Sequence, residues 1–193
     1  MEFGINGINT INLANKDYSR SQIAKPGLVG GPCLEKDSYI LCSNIQNVGI
    51  SKVILEARRY NEHLETNIVM WALENYESRI IICGMAFKGR PSTNDLRGSS
   101  SVNIARRLHS FGKKVVLFDP ICRQNELKDL GFGEICLELD ELSASKQDCV
   151  LVLNNNEYFE SKEFENAIVN AKVFDVWDVT NMSNKSTLGN YQL

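Results

Sequence analysis

Residues 79–120 read RIIICGMAFKGRPSTNDLRGSSSVNIARRLHSFGKKVVLFDP. The two ends, RIIICG (79–84) and KKVVLFDP (113–120), are short runs of β-branched and apolar residues. They are continuous rather than alternating, the texture of strands covered on both faces. Between them SSSVNIARRLHSF (99–111) has the spacing of a helix with one apolar face, and Gly112 closes it. Parallel strands cannot be joined by a tight turn, so strand, helix and strand in succession make a crossover unit. That unit decides the fold class: α/β, a doubly wound, Rossmann-like parallel sheet.

Working towards the C-terminus, the same alternation continues. A helical piece covers 125–130, GEICLE (133–138) is a possible short strand, and DCVLVLN (148–154) is a buried one. A helix near 162–170 and the run KVFDVWD (172–178) complete a domain expected over 78–182, and 183–193 is expected to be a frayed tail. Towards the N-terminus, no Gly or Pro interrupts Ser51 to Tyr76, and Val53, Ala57, Tyr60, Leu64, Ile68 and Trp71 recur at helical steps. About 26 residues at about 1.5 Å each give a rod of nearly 40 Å. Such a rod either packs inside its own chain or offers a surface to a partner. The remaining residues, 1–48, are rich in Gly and Asn, with one apolar-periodic piece from Ile8 to Ala14; with the rod they form a region expected over 1–77.

The totals exclude several classes. With 193 residues, 43% hydrophobic, 23% charged and a formal net charge of -3, the chain is a globular protein with no electrostatic reason to bind nucleic acid. The apolar run IVMWAL (68–73) is far short of a membrane span, and the first twenty residues lack a basic then apolar leader; cytoplasmic residence is the expectation. The six cysteines form no C-x-x-C pair and the two histidines, His63 and His109, lie far from them, so no metal site is expected. Cys83, Cys136 and Cys149 read as small core hydrophobes.

Chemistry concentrates in two loops. The one after the first strand, 84–98, carries Lys88, Arg90 and Arg97 against Asp95 and runs into a helix that opens with three serines. Cations beside a helix N-terminus suit an anion such as a phosphate, although a long loop is also charged simply because it is wet. G-x-G-x-x-G is absent from this turn, and Gly84 to Gly89 lacks the Lys-Ser/Thr ending of a phosphate loop, so NAD is not this domain's expected ligand. The other stretch is GLVGGPCLEKD (27–37), where Gly27, Gly30 and Gly31 are candidate substrate-binding positions because glycine lets a ligand approach the main chain. Cys33 follows. If a helix begins near it, Asp37 falls on the same face at i+4, where a carboxylate can take a proton. The alternative is a structural thiol beside a solvated pair, Lys36 and Asp37.

Taken in order, GGPCLEKD, a long helix with ARRYN, ICGMAFKGRPSTNDLRGSS and VVLFDP resemble the UDP-glucose/GDP-mannose dehydrogenase family, over its central and C-terminal parts. The resemblance implies NAD-linked oxidation of the C6 alcohol of a UDP-sugar to the uronic acid. The reaction would pass through a thioester on the cysteine that Cys33 matches. Asp37 matches an aspartate that assists water, and Arg20 an arginine reaching the substrate of a neighbouring subunit. Lys88 and Arg97 match positions around a UDP pocket, and the long helix a homodimer spine. NAD would be bound by a domain with no counterpart in these residues, so the chain alone is expected to be inactive. Three residues depart from the pattern: Glu35 where proline is common, Gly98 where glutamate is common, and Trp177 near a frequent arginine. The alternatives left open are a non-catalytic nucleotide-sugar-binding or dimerisation module and a purely structural oligomer.

Overall fold

The computed structural model describes residues 5–18, 20 and 22–188. Five parallel strands, β1 (Ile80–Cys83), β2 (Val115–Phe118), β3 (Glu134–Ile135), β4 (Cys149–Val152) and β5 (Lys172–Asp175), form one sheet in the order β3-β2-β1-β4-β5. The chain winds outward from β1 in one direction and returns to β4 for the other, which is the doubly wound topology expected. Each apolar run supplies fewer paired residues than its length: GEICLE contributes only Glu134–Ile135.

Alternation along the strands builds two cores. Ile80, Ile82, Val115, Leu117, Cys149, Leu151 and Phe174 face one side with α4 (Ser100–Ser110), and Ile81, Cys83, Val116, Phe118, Val150, Val152 and Val173 face the other with α7 (Lys162–Ile168). Between them in sequence lie α5 (Gln124–Lys128) and α6 (Leu139–Leu142). Gly112 closes α4 at φ +71, its N–H bonded to His109 O.

N-terminal to the sheet come α1 (Gly7–Asn15), α2 (Asp37–Asn44) and the long helix α3 (Val48–Asn75). α3 starts earlier than its uninterrupted run because Asn47 caps it, its side chain accepting from Gly49 N and Ile50 N, so a glycine is absorbed into the first turn. Only the C-terminal half of the predicted stripe is covered. Leu64, Ile68 and Trp71 join the first core, Trp71 edge-on to Phe174 at 5.0 Å, whereas Val53 and Tyr60 are 71% and 59% exposed. The helix therefore belongs to the sheet's core at one end and stands clear of it at the other.

The tail expectation needs correcting for its described part. Ser186 bridges to Phe174 in parallel, its N–H bonded to Val173 O and its carbonyl to Asp175 N, and Thr187 and Leu188 are buried. An open edge strand leaves a row of unpaired amides, and these residues cover β5 instead of fraying. Residues 189–193 lie outside those described. No helix among the described residues is long and apolar enough to cross a membrane.

Candidate functional site

In a doubly wound sheet, ligands lie beyond the carboxyl ends of the strands, at the point where the winding reverses. Here that point falls between β1 and β4, and the chain fills it with itself. A Cβ on Gly84 would stand 2.6 Å from the Asn154 side chain, and one on Gly89 would stand 2.1 Å from Asn156 N. Gly89 N–H donates to Asn155 Oδ1 at 3.1 Å and Asn154 Nδ2 donates to Ala86 O at 3.3 Å. Asp119, at the end of β2 where a dinucleotide fold keeps an acid for the ribose, is already engaged. Its Oδ2 accepts from Met85 N and Ala86 N, and its Oδ1 from Ile121 N and Cys122 N. These residues do not fit NAD.

What does meet at the carboxyl ends is the cysteine loop. Three glycines of residues 27–31 face the sheet domain at contact distance. A Cβ on Gly27 would lie 2.4 Å from two atoms of the Trp177 ring, and one on Gly30 would lie 2.6 Å from Gly98 O. A Cβ on Gly31, at φ +111, would lie 2.9 Å from the Phe87 ring, and Gly31 N–H donates to Gly98 O at 2.8 Å. Sequence reasoning expects a ligand to use the freedom of these glycines; on the side a Cβ would take, it is the chain's own loops that approach. Asn61 of α3 holds the loop from behind, accepting from Val29 N and donating to Val29 O, both at 2.9 Å.

The seam delivers Cys33 to the surface. Glu35 N–H donates to Gly31 O, and Lys36 and Asp37 N–H both donate to Cys33 O, the latter at 2.9 Å. α2 begins only at Asp37, yet this hydrogen-bonded turn still sets Cys33 and Asp37 one turn apart. The Asp37 carboxylate meets the Lys36 ammonium at 2.6 Å, and that contact raises the lysine's pKa, with a smaller contribution from Cys33. Cys33 is the one exposed thiol among the described cysteines. Burial pushes the Cys149 thiol up to about 12 and the Cys83 thiol well above its ordinary value, so those sulfurs are inert hydrophobes as expected. Among the described residues no cluster of His, Cys, Asp and Glu could hold a metal ion.

The cations of loop 84–98 are less free than the sequence suggests. Arg97 forks onto Asp95, Nε to Oδ1 at 2.9 Å and Nη2 to Oδ2 at 2.7 Å, which pulls the Asp95 carboxyl down to about 2. Arg90 pairs with Glu160 at 2.5 Å. Lys88, half-buried with its ammonium 5.3 Å from the Phe87 ring centroid, makes no ion pair among the described residues. The serines that open α4 are turned inward: Ser99 Oγ donates to Met85 O at 2.7 Å, and Ser100 is buried beside Glu65 of α3, whose pKa it lowers together with Asn103. The expected phosphate site at this helix end thus faces a carboxylate of the protein's own, and the loop cations are what remain for an external anion. Beside them, beyond β4 and β5, a cavity of 520 Å3 is lined by Ile23, Lys25, Arg90, Asn155, Trp177 and Asp178. Arg20 lies exposed in the turn after α1.

The residues that sequence reasoning missed are Phe87, Asn61 and the run Asn154-Asn155-Asn156. Three consecutive asparagines directly after a buried strand were the available signal, since that side chain bonds backbone in irregular turns.

Residues 81–182 match the UDP-binding domain of the UDP-glucose/GDP-mannose dehydrogenase family. UDP-N-acetyl-D-mannosamine dehydrogenase of Pyrococcus horikoshii is 34% identical over 132 residues, covering 63% of this chain and 30% of that protein. UDP-N-acetyl-D-glucosamine 6-dehydrogenase of Salmonella typhi is 28% identical over 144 residues, covering 70% and 33%. The solved structure of the Pyrococcus horikoshii UDP-D-ManNAc dehydrogenase superposes with a TM-score of 0.72 at 24% identity over 97% of this chain and 45% of that one. A UDP-glucose dehydrogenase from Pyrobaculum islandicum gives 0.72 at 21%, over 96% and 44%. The chain thus spans about a third of the length of these curated relatives. With a domain match over more than half its residues and a fold that agrees, the chain belongs to the UDP-glucose/GDP-mannose dehydrogenase family.

Proposed function

We propose that this chain is the thiol-bearing, UDP-sugar-binding part of an NAD-dependent nucleotide-sugar 6-dehydrogenase, with a UDP-N-acetylhexosamine as the favoured substrate because the curated relatives are named for such sugars. The observation that carries the proposal is the single exposed thiol, Cys33, mounted by a glycine seam against the loop that holds Lys88 and Arg97. In this reading Lys88 and Arg97 hold the diphosphate. Cys33 Sγ adds to the C6 aldehyde and, once that carbon has been oxidised, holds it as an acyl thioester. Asp37 takes a proton from the water that opens the thioester, which returns the thiol and frees the carboxylate. The oxidant is the family's NAD, for which these residues offer no cradle. Gly27, Gly30 and Gly31 keep the loop in place, and Arg20 reaches the substrate of a second copy. That copy covers the exposed half of α3, where Ile50, Val53 and Tyr60 leave an apolar face bare.

Isothermal titration tests the proposal. UDP and UDP-N-acetylmannosamine are expected to bind the chain and NAD is not; heat from NAD with none from UDP would reject it.

A further inference from the structure

The glycines of the cysteine loop are met by a fourth on the opposite loop. Gly98 stands at φ +61, and a Cβ on it would lie 2.7 Å from Gly31 O and 2.8 Å from Gly31 C. From the other side a Cβ on Gly30 would lie 2.6 Å from Gly98 O. Main chain thus touches main chain in both directions, with no rotamer to absorb a displacement. Each partner is held in turn. Ser99 N–H bonds Leu96 O at 3.3 Å, Ser99 Oγ bonds Met85 O and Arg97 N–H bonds Asp95 Oδ1 at 3.0 Å, while Gly31 O anchors the turn that carries Cys33.

We infer that Gly98 is a positioning residue for Cys33: its backbone sets how far the thiol stands from Lys88 and Arg97 on the same loop. The inference rests on the reading of Cys33 as the reactive thiol. Carbon contacts settle at about 3.5–4.0 Å, so on this chain's backbone, which has glycine where the family commonly has glutamate and Glu35 opposite it, a side chain at position 98 lifts residues 30–33 by roughly 1 Å. In a site assembled from two loops, a misplacement of about 1 Å costs up to about 10²-fold.

The test labels the full chain with iodoacetamide and measures the ratio of modified Cys33 to modified Cys42 by peptide mass spectrometry, with and without UDP-N-acetylmannosamine. Gly98→Ala, Gly30→Ala and Gly112→Ala are compared. Gly112 has a similar left-handed backbone at φ +71 but open space around it, so its variant reports strain without contact. Gly98→Ala and Gly30→Ala are expected to change the labelling ratio and to raise the nucleotide-sugar concentration needed for protection about tenfold or more. Gly112→Ala is expected to behave as the parent. Wild-type ratio and protection in folded Gly98→Ala and Gly30→Ala overturn the inference. If Gly98→Ala does not fold, Gly30→Ala decides alone, because position 30 has no positive φ. Absence of protection in the parent would instead overturn the reading of Cys33, a different failure visible before any variant is made.

Discussion

Replacing Gly27 by alanine sets one methyl group against the Trp177 ring. On the present backbone the new Cβ lies 2.4 Å from Cε2 and Cζ2 and 2.5 Å from Cη2. Carbon atoms prefer about 3.5–4.0 Å, so ring and loop must part by roughly 1 Å. Gly27 is not among the positive-φ residues, so backbone strain plays no part. The ring cannot simply step aside: its Nε1 donates to Leu153 O at 3.1 Å and it packs on the first core. Overpacking of this kind costs about 1–3 kcal/mol. For a chain near this length each kcal/mol moves Tm by about 2–4 °C, so a cost in the middle of that range lowers it by about 4–8 °C. In a Trp177→Ala background the same methyl enters space the ring has vacated, and its cost should shrink to a few tenths of a kcal/mol. The two substitutions are then coupled by about 1–3 kcal/mol. Urea unfolding followed by far-ultraviolet circular dichroism measures all four corners of the cycle. Fluorescence is unsuitable because one of only two tryptophans is removed. An equal cost for Gly27→Ala in both backgrounds would refute the seam.

Two further outcomes follow from neighbouring contacts. Burial raises the Glu65 carboxyl above its ordinary pKa by more than Ser100, Asn103, Arg58 and Arg107 lower it. The fold therefore favours the protonated acid, and this contribution is full below the unfolded value of about 4.3 and is lost as pH rises through the higher folded one. Glu65→Gln should accordingly be more stable than the parent at pH 7, with the gain vanishing near pH 4 in denaturant titrations at the two pH values. Asn61→Ala removes both bonds to Val29 and should cost about 1–2 kcal/mol, with faster hydrogen exchange at Val29 N–H as the local signature.

The sheet domain was legible because its strands announce themselves: continuous β-branched runs separated by helical spacing leave one topology class open. The long helix was legible in type but not in role. A stripe from Val53 to Trp71 looks uniform in sequence, yet burial divides it in the middle, because periodicity records which face is apolar and not what lies opposite. Lys88, Arg90 and Arg97 could be read as a cationic loop with Asp95 beside Arg97, but the groups that reach it from elsewhere in the chain could not. Glu160 is remote in sequence from Arg90, and Glu65 reaches the start of α4 from another helix. The glycines near Cys33 were visible and their purpose was not: a sequence shows that a backbone can be approached and does not show by what.

The thiol is referenced to the sheet by two routes. One runs through space, from Gly27, Gly30 and Gly31 to Trp177, Gly98 and Phe87. The other runs along α3, whose C-terminal half is fixed in the core while Asn61, further up the same helix, grips Val29. A rod anchored at one end and a main-chain joint at the other close a loop of contacts around residues 27–33. In neither route does a long flexible side chain span the gap, so the geometry does not depend on freezing rotamers, whose ordering costs up to about 2 kcal/mol each. That economy explains why Gly27, Gly30 and Gly31 stand at the closest contacts of the seam on the cysteine side, with Leu28 between them buried in the first core. A larger residue would replace a fixed separation with an adjustable one, and a thiol in the role proposed above, meeting a sugar tethered elsewhere, needs the fixed one.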